Sequence, residues 1–89
     1  MIRETVTIIN KLGLHARAAA KLVGCAESFQ SSVRLFCHGR EVDGKSIMSV
    51  MMLAASQGSD LELIIEGGDE AWARDALVEL INDRFGEEE

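Results

Sequence analysis

Proline is absent from the chain, and no apolar run approaches the roughly 20 residues that a membrane-spanning helix needs. The longest such run covers only residues 50–55, and the first residues lack the apolar stretch of a signal peptide. We therefore expect a cytoplasmic protein with no membrane partner. With 89 residues, the chain can form one small packed core, a single domain over residues 1–89, and it is too short to hold a separate cofactor domain.

Cysteine is scarce as well. Cys25 and Cys37 form no Cys-x-x-Cys pair, and no histidine lies beside them at the spacing of metal ligands. We interpret both as small core residues of a protein in a reducing compartment. The sequence therefore predicts no metal site and no cofactor.

Positive charge is too sparse for a nucleic-acid-binding protein. The net charge is −6, and its distribution is uneven: residues 1–58 carry seven Lys and Arg against four Asp and Glu, whereas residues 59–89 carry two against eleven. No strong basic patch offsets the acidic part, so we exclude nucleic acid as a partner. The mildly basic N-terminal part suits anions or acidic proteins.

Hydrophobic periodicity predicts the element order β-α-β-β-α-β-α. Alternating residues indicate strands, a 3.6-residue stripe indicates helices, and glycine and polar clusters separate them. The resulting fold class is α+β, a two-layer sandwich with three helices on one face of four half-buried strands. The predicted elements are strand 2–9, a helix from Ala16 to near Phe29, a hairpin over 33–43, a helix at 47–56, strand 60–66 and a last helix capped by Asp69. The buried stripe of the first helix is predicted to be Ala19, Leu22, Val23 and Ala26, and that of the last helix Ala73, Leu77, Leu80 and Ile81. Gly86 is predicted to stop the last helix before a solvated tail at 87–89.

The first candidate site is the segment 13–17, which places His15 and Arg17 where the first helix begins. The leading amides of a helix have no backbone acceptors, and the helix start carries partial positive charge, so an anion held there meets ready donors. A neutral imidazole nitrogen of His15 can attack a phosphorus atom, and the phosphoryl group would then lie near these amides and Arg17. The alternative is that His15 only caps the helix and Arg17 is a solvated side chain.

The second candidate site is the helix predicted at 47–56, which is apolar nearly all round. A peripheral helix in so small a domain cannot bury every side, so part of it should form a contact patch. We expect Val50 and Leu53 to face the core and Ile47, Met48 and Met51 to face solvent. Methionine suits a surface that meets several partners, although a wholly intramolecular role remains the alternative.

Ser46 precedes that helix and is predicted to be its N-cap. A phosphate at a helix start is stabilised, so the same serine is also a candidate phosphoacceptor. His38 is interpreted as a surface residue, and Trp72 and Phe85 as packing residues.

The segments around His15 and Ser46 together resemble the histidine-containing phosphocarrier (HPr) family of the bacterial phosphoenolpyruvate-dependent phosphotransferase system. Residues 10–17 are similar to the active-site segment of the family, and residues 44–48 are similar to its regulatory-serine segment. The resemblance covers essentially the whole chain. It implies an open-faced sandwich with a four-stranded antiparallel sheet in the order 1-4-2-3.

The resemblance implies a phosphoryl carrier rather than an enzyme. In that role His15 would be phosphorylated on Nδ1 by enzyme I, which draws the phosphoryl group from phosphoenolpyruvate, and the group would pass to enzyme IIA domains. Arg17 would neutralise charge during transfer, and the second helix, through Ile47, Met48 and Met51, would dock both partners. A serine kinase or phosphorylase acting at Ser46, and regulatory proteins, are further implied partners.

The chain departs from many members of the family at Ala18, which stands where they have proline. Alanine is the best helix former, so we expect the site to be retained. Two branches stay open: the lead-in 10–13 and the acidic end 85–89 resemble the nitrogen-related paralogue NPr, whereas the Ser46 segment resembles the sugar branch. Outside the carrier class, the alternatives are a regulatory interaction protein acting through phosphorylated Ser46 and the Met48 surface, and a small ligand-binding domain.

Overall fold

The structure, a computed structural model, describes residues 1–89. Its elements follow the predicted order, and a short 3-10 turn is added after the last helix. Their bounds are β1 Ile2–Thr7, α1 Ala16–Glu27, β2 Ser32–Cys37, β3 Arg40–Asp43, α2 Ile47–Met52, β4 Asp60–Glu66, α3 Glu70–Asn82 and the 3-10 turn Arg84–Gly86.

The four strands form one antiparallel sheet in the order β1-β4-β2-β3, which confirms the order 1-4-2-3. Strand β4 pairs with β1 on one side and β2 on the other, so that Leu63 lies opposite Leu35 of β2. Strands β2 and β3 form the predicted hairpin. The last strand in the chain therefore joins the first strand to this hairpin, as in a split sheet of the α+β class.

Only one face of the sheet is covered by helices. The alternate residues Val33, Leu35 and Cys37 of β2 are buried, and their neighbours along the strand are exposed. Charged side chains pair across the open face, where Arg3 contacts Glu62 over 3.0 Å. The predicted two-layer sandwich with three helices on one face is therefore confirmed.

The core lies between this sheet face and the helices. The predicted stripe of α1 is buried as expected, and Ala73, Leu77 and Ile81 of α3 are buried with it. Leu80 is only partly buried, so its assignment to the buried stripe was wrong. Phe85, beyond α3, is fully buried and confirms the packing role, whereas Trp72 is 74% exposed and contradicts it.

Three predicted elements end earlier than expected, each where the regular hydrogen bonds of the strand or helix give way to loop or turn bonds. Strand β1 ends at Thr7 rather than Ile9, and helix α1 ends at Glu27, where the last turn tightens. Helix α2 ends at Met52 instead of Ser56 because Ala54 has a left-handed φ of 51°. The turned chain then presents the Ala55 carbonyl to the amide of Leu14 at 2.9 Å.

Asp69 occupies the N-cap position of α3, but its carboxylate does not cap the helix. It accepts hydrogen bonds from the backbone amides of Gln30 and Ser31 at 2.9 and 3.0 Å, and from the Ser31 hydroxyl. These bonds hold the pKa of Asp69 below its ordinary value, the Ser31 hydroxyl contributing most. Asp69 therefore fastens the loop before β2 to the start of α3.

The end of the chain also differs from the expectation. Helix α3 ends at Asn82, and the chain reverses through Arg84 and Phe85, whose φ values are 57° and 55°. Gly86, which was predicted to stop the helix, instead lies in the 3-10 turn that follows. Glu87 is only 15% exposed, so the prediction of a fully solvated tail was wrong.

The two cysteines are free thiols, Cys37 buried and Cys25 half-buried. Burial raises the pKa of both thiols. None of the helices has the length and apolar character needed to cross a membrane.

Candidate functional site

The loop that leads to His15 is held in place by a close backbone contact. Gly13 has a φ of 68°, and a Cβ atom there would lie 2.5 Å from the carbonyl oxygen of Ala55, so a side chain is excluded on two grounds. Leu14 is buried and bonds through its amide to the same carbonyl. The segment after α2 thus fixes the chain immediately before His15.

His15 stands at the N-cap position of α1, with φ −73° and ψ 177°. Its carbonyl accepts the first helical hydrogen bond, from the amide of Ala19 at 2.8 Å. Its side chain makes no capping hydrogen bond, which argues against the alternative that His15 only caps the helix. The amides that precede Ala19 in the first turn have no acceptor within the helix, which gives the expected anion-attracting end.

The imidazole of His15 contacts a carboxylate from the far end of the chain. Its Nε2 atom contacts Oε2 of Glu87, and the His15 side chain is 29% exposed. The other oxygen of Glu87, Oε1, accepts a hydrogen bond from Nδ2 of Asn10 at 3.0 Å. The His15 hydrogen bond, more than any other contact, holds the pKa of Glu87 below its ordinary value, so this carboxylate is ionised at neutral pH.

Asn10 is fully buried and faces two acceptors. Its Nδ2 atom donates to the Gly13 carbonyl at 2.8 Å as well as to Glu87, while its Oδ1 atom has no hydrogen-bond partner in the protein. An unpaired buried acceptor costs about 1–3 kcal/mol. The two hydrogen bonds that Nδ2 donates therefore orient the Asn10 side chain, and they leave its Oδ1 atom without a partner.

Arg17 is exposed near the ring and forms no ion pair within the chain. Its guanidinium is therefore available to an anion bound at the start of α1. Lys21 is used differently, since its Nζ atom donates to the Phe85 carbonyl at 2.6 Å. A shallow groove of about 650 Å³ opens at this end of the molecule. It is lined by Lys11, Leu12, His15, Ala16 and Arg17 together with the chain-end residues Glu87, Glu88 and Glu89.

The second predicted site lies on α2, which packs against α1. Ser46 is the N-cap of α2, as predicted, and its Oγ atom accepts a hydrogen bond from the Ser49 amide at 3.3 Å. Ser46 is half-buried. It lies at the opposite end of α2 from Ala55, whose carbonyl supports the His15 loop.

The residues of α2 that were predicted to be buried or exposed are so, and Met52, for which no prediction was made, is exposed as well at 61%. Val50 and Leu53 are buried, which confirms them as the core side. The exposed large side chains form what we call the α2 patch, Ile47, Met48, Met51 and Met52. Met48 is the most exposed of them at 75%.

Sequence reasoning missed two residues of this site. Glu87 was assigned to a solvated tail and Asn10 to a turn, because neither has a local pattern that connects it with His15. The only available signal was the position of Asn10 at the start of the segment 10–17. His38, the other histidine, is exposed, as predicted, and no group of three or more His, Cys, Asp or Glu side chains is arranged to hold a metal ion.

The fold and the site together define a small open-faced sandwich protein with a partly exposed imidazole at the start of a helix. A family model described as the PTS HPr component phosphorylation site matches residues 2–83. The phosphocarrier protein HPr of Cupriavidus necator is 57% identical over 89 residues, which cover 100% of both chains. That of Pseudomonas aeruginosa is 60% identical over 88 residues, with 94% of each chain covered.

Solved structures agree with this assignment. HPr-C-His from Thermoanaerobacter tengcongensis is 46% identical and has a TM-score of 0.96, with 100% of both chains covered. The chain therefore belongs to the HPr family, the phosphocarrier proteins of the phosphotransferase system.

Proposed function

We propose that the protein accepts a phosphoryl group from enzyme I on Nδ1 of His15 and passes it to enzyme IIA domains. The observation that carries the proposal is the position of the imidazole, partly exposed at the N-cap of α1 and bonded through Nε2 rather than Nδ1. A ring nitrogen without a partner in the protein is the one that can act as the nucleophile.

The helix start and the guanidinium of Arg17 suit a group that arrives with negative charge. Phosphoryl transfer needs in-line placement and charge stabilisation more than covalent machinery, so a small carrier can supply one half of a shared site. The free amides of the first helical turn would hold the phosphoryl oxygens. Arg17, which has no acidic partner of its own, would neutralise their charge during transfer.

The α2 patch is proposed as the surface that docks both partners. Its apolar side chains lie on a helix that packs against α1, so a partner that covers them would also approach the His15 end. Ser46 precedes this patch at the N-cap of α2. Phosphorylation there would add negative charge beside Ile47 and Met48, which gives a direct route to regulation.

The test is incubation of the protein with enzyme I and phosphoenolpyruvate, followed by addition of an enzyme IIA domain. We expect an acid-labile, base-stable phosphate on the protein that disappears as the enzyme IIA domain becomes labelled. Reactions without enzyme I or without phosphoenolpyruvate are the controls. A protein that takes up no phosphate, or holds it without passing it on, would contradict the carrier role.

A second candidate function is regulation by binding, with phosphorylated Ser46 and the Met48 surface contacting a transcription factor or another enzyme. The observation in its favour is that Ser46 lies next to an exposed apolar patch. In that case loss of His15 would leave the regulatory complex unaffected.

Comparison of labelling by enzyme I from the sugar branch and from the nitrogen-related branch would show to which of the two branches the carrier belongs.

A further inference from the structure

The carboxylate of Glu87 and the imidazole of His15 form a hydrogen-bonded pair that joins the end of the chain to the start of α1. We infer that Glu87 is a positioning residue for phosphoryl transfer: it keeps the proton of the His15 ring on Nε2 and thereby leaves the lone pair on Nδ1 free. The inference rests on the proposed function, in which Nδ1 of His15 accepts the phosphoryl group.

Glu87 is held in place by more than its contact with His15. Two residues before it, Phe85 is fully buried in the core, and the Phe85 carbonyl accepts a hydrogen bond from Lys21 of α1 at 2.6 Å. The buried Asn10 binds the second oxygen of the Glu87 carboxylate. A carboxylate fixed from both sides can orient an imidazole, whereas one on a free tail cannot.

The hydrogen bonds also fix which atoms carry protons. The Gly13 carbonyl can only accept, so the group of Asn10 that faces it must be the NH₂ group, and the same NH₂ group donates to Oε1 of Glu87. The ionised carboxylate can only accept as well. The contact between Oε2 and Nε2 therefore requires a proton on Nε2, and the neutral ring has its lone pair on Nδ1.

This arrangement assigns each atom in the transfer step. The Nδ1 lone pair forms the new N–P bond while the bond between phosphorus and the donor atom breaks, and the donor keeps the electron pair of that bond. The proton on Nε2 stays where it is, so the phosphorylated ring acquires a positive charge. The Glu87 carboxylate faces that charge and stabilises it, as a buried aspartate stabilises an imidazolium in serine proteases.

Two substitutions of Glu87 separate a positioning role from a packing role. Glu87→Ala removes the acceptor, so the neutral His15 ring should become a mixture of tautomers. Glu87→Gln keeps the size, but the Asn10 NH₂ group will take the oxygen of the new amide, which leaves its NH₂ group facing Nε2. The glutamine should therefore move the ring proton to Nδ1 and block the nucleophile, an effect that the loss of a packing contact does not produce.

The experiment is ¹⁵N NMR of the His15 ring in the free protein, at a pH where the imidazole is neutral, combined with single-turnover phosphorylation by enzyme I. We expect the Nε2–H tautomer in the wild type, mixed tautomers with a rate about tenfold lower in Glu87→Ala, and the Nδ1–H tautomer with a rate lower by roughly a hundredfold or more in Glu87→Gln. Glu27→Ala, which removes the same charge from an exposed position at the far end of α1, is the control and should match the wild type.

Unchanged tautomers in both variants, or transfer rates equal to that of the wild type, would overturn the positioning role. A faster rate in Glu87→Ala would also overturn it and would show instead that the chain end obstructs access to His15. If the wild type accepts no phosphate from enzyme I, the proposed function fails, and the tautomers of the free protein still decide whether Glu87 sets the ring proton. Melting curves of the variants show whether a lower transfer rate results from a loss of folding instead.

Discussion

The hydroxyl oxygen of Ser46 accepts a hydrogen bond from the backbone amide of Ser49, which makes Ser46 the N-cap of the helix that carries the α2 patch. An aspartate can cap a helix in the same way and adds a negative charge at the favourable end of the helix dipole. The Ser46→Asp variant should therefore fold with unchanged or slightly raised stability. Its charge, however, lies beside apolar residues that a partner has to desolvate.

We predict that Ser46→Asp binds enzyme I more weakly than the wild type and accepts phosphate at His15 more slowly. Added salt should restore part of the affinity if long-range repulsion dominates. Titration calorimetry against enzyme I, together with melting curves, measures both effects. Ser46→Ala is the control, because it loses the cap, at a cost of about 1 kcal/mol, without adding charge. Equal affinity of Ser46→Asp and the wild type would exclude this mechanism.

Met48 tests whether the α2 patch is a docking surface. The Met48→Asp variant should lose a few kcal/mol of binding free energy to enzyme I, because a carboxylate is costly to desolvate in an apolar contact. Its melting temperature should hardly change, since the side chain is 75% exposed. The matched control is Trp72→Asp, which places the same charge at an equally exposed apolar position on α3. Equal affinity of the Met48 variant and the control would rule out the docking role.

Arg17 is predicted to speed phosphoryl transfer without being indispensable, because the helix amides remain as donors. The Arg17→Ala variant should lose roughly 1–3 kcal/mol of transition-state stabilisation, which corresponds to a rate about 5 to 150 times lower. Rapid-quench measurement of transfer from enzyme I and to an enzyme IIA domain gives the rates. Arg3→Ala removes one positive charge from the open sheet face and serves as the control. Identical rates in both directions would contradict the role given to Arg17.

Asp69 gives a prediction about pH. The Ser31 hydroxyl and the Gln30 amide hold the pKa of Asp69 in the folded protein below its ordinary value. The contribution of Asp69 to the free energy of unfolding is therefore complete above the unfolded-state pKa, and it is lost as the pH falls through the folded-state pKa. In Asp69→Asn the free energy of unfolding should drop at neutral pH and change less on acidification. Denaturant unfolding across the acid range measures this. Parallel pH profiles of the variant and the wild type would contradict the assignment.

Features that depend on residues close together in the chain could be predicted from the sequence. Ser46 was identified as a cap from its place before an apolar run, and the buried and exposed sides of α2 were assigned from the positions of Val50 and Met48 in one helix. The predicted end of α2 was wrong because the chain turns at Ala54, whose φ is left-handed. The turned chain then bonds to Leu14, which lies in a distant segment. A hydrogen bond between distant segments produces no repeating pattern of residues, so the sequence alone does not predict it.

The same reason explains why His15 and Arg17 were found, whereas the contacts of Glu87 in the site and of Asp69 outside it were missed. His15 and Arg17 are adjacent to a helix start, so elementary helix electrostatics points to them. Glu87 reaches His15 from 72 positions away, and Asp69 reaches Ser31 from 38. Glutamates at the end of a chain are normally solvated, and an aspartate before a helix normally caps it, so only the tertiary structure shows these two contacts.

The most direct test of the account is to locate the phosphate after reaction with enzyme I and phosphoenolpyruvate in His15→Ala and His38→Ala, the two single-histidine variants of this chain. Mass spectrometry under non-acidic conditions and ³¹P NMR identify the modified residue and the ring nitrogen. We predict that His15→Ala folds with a modestly lower melting temperature, because the Glu87 carboxylate loses its ring partner, and takes up no phosphate. His38→Ala should be fully phosphorylated on Nδ1 of His15. Phosphorylation of His15→Ala to the level of the wild type would contradict it.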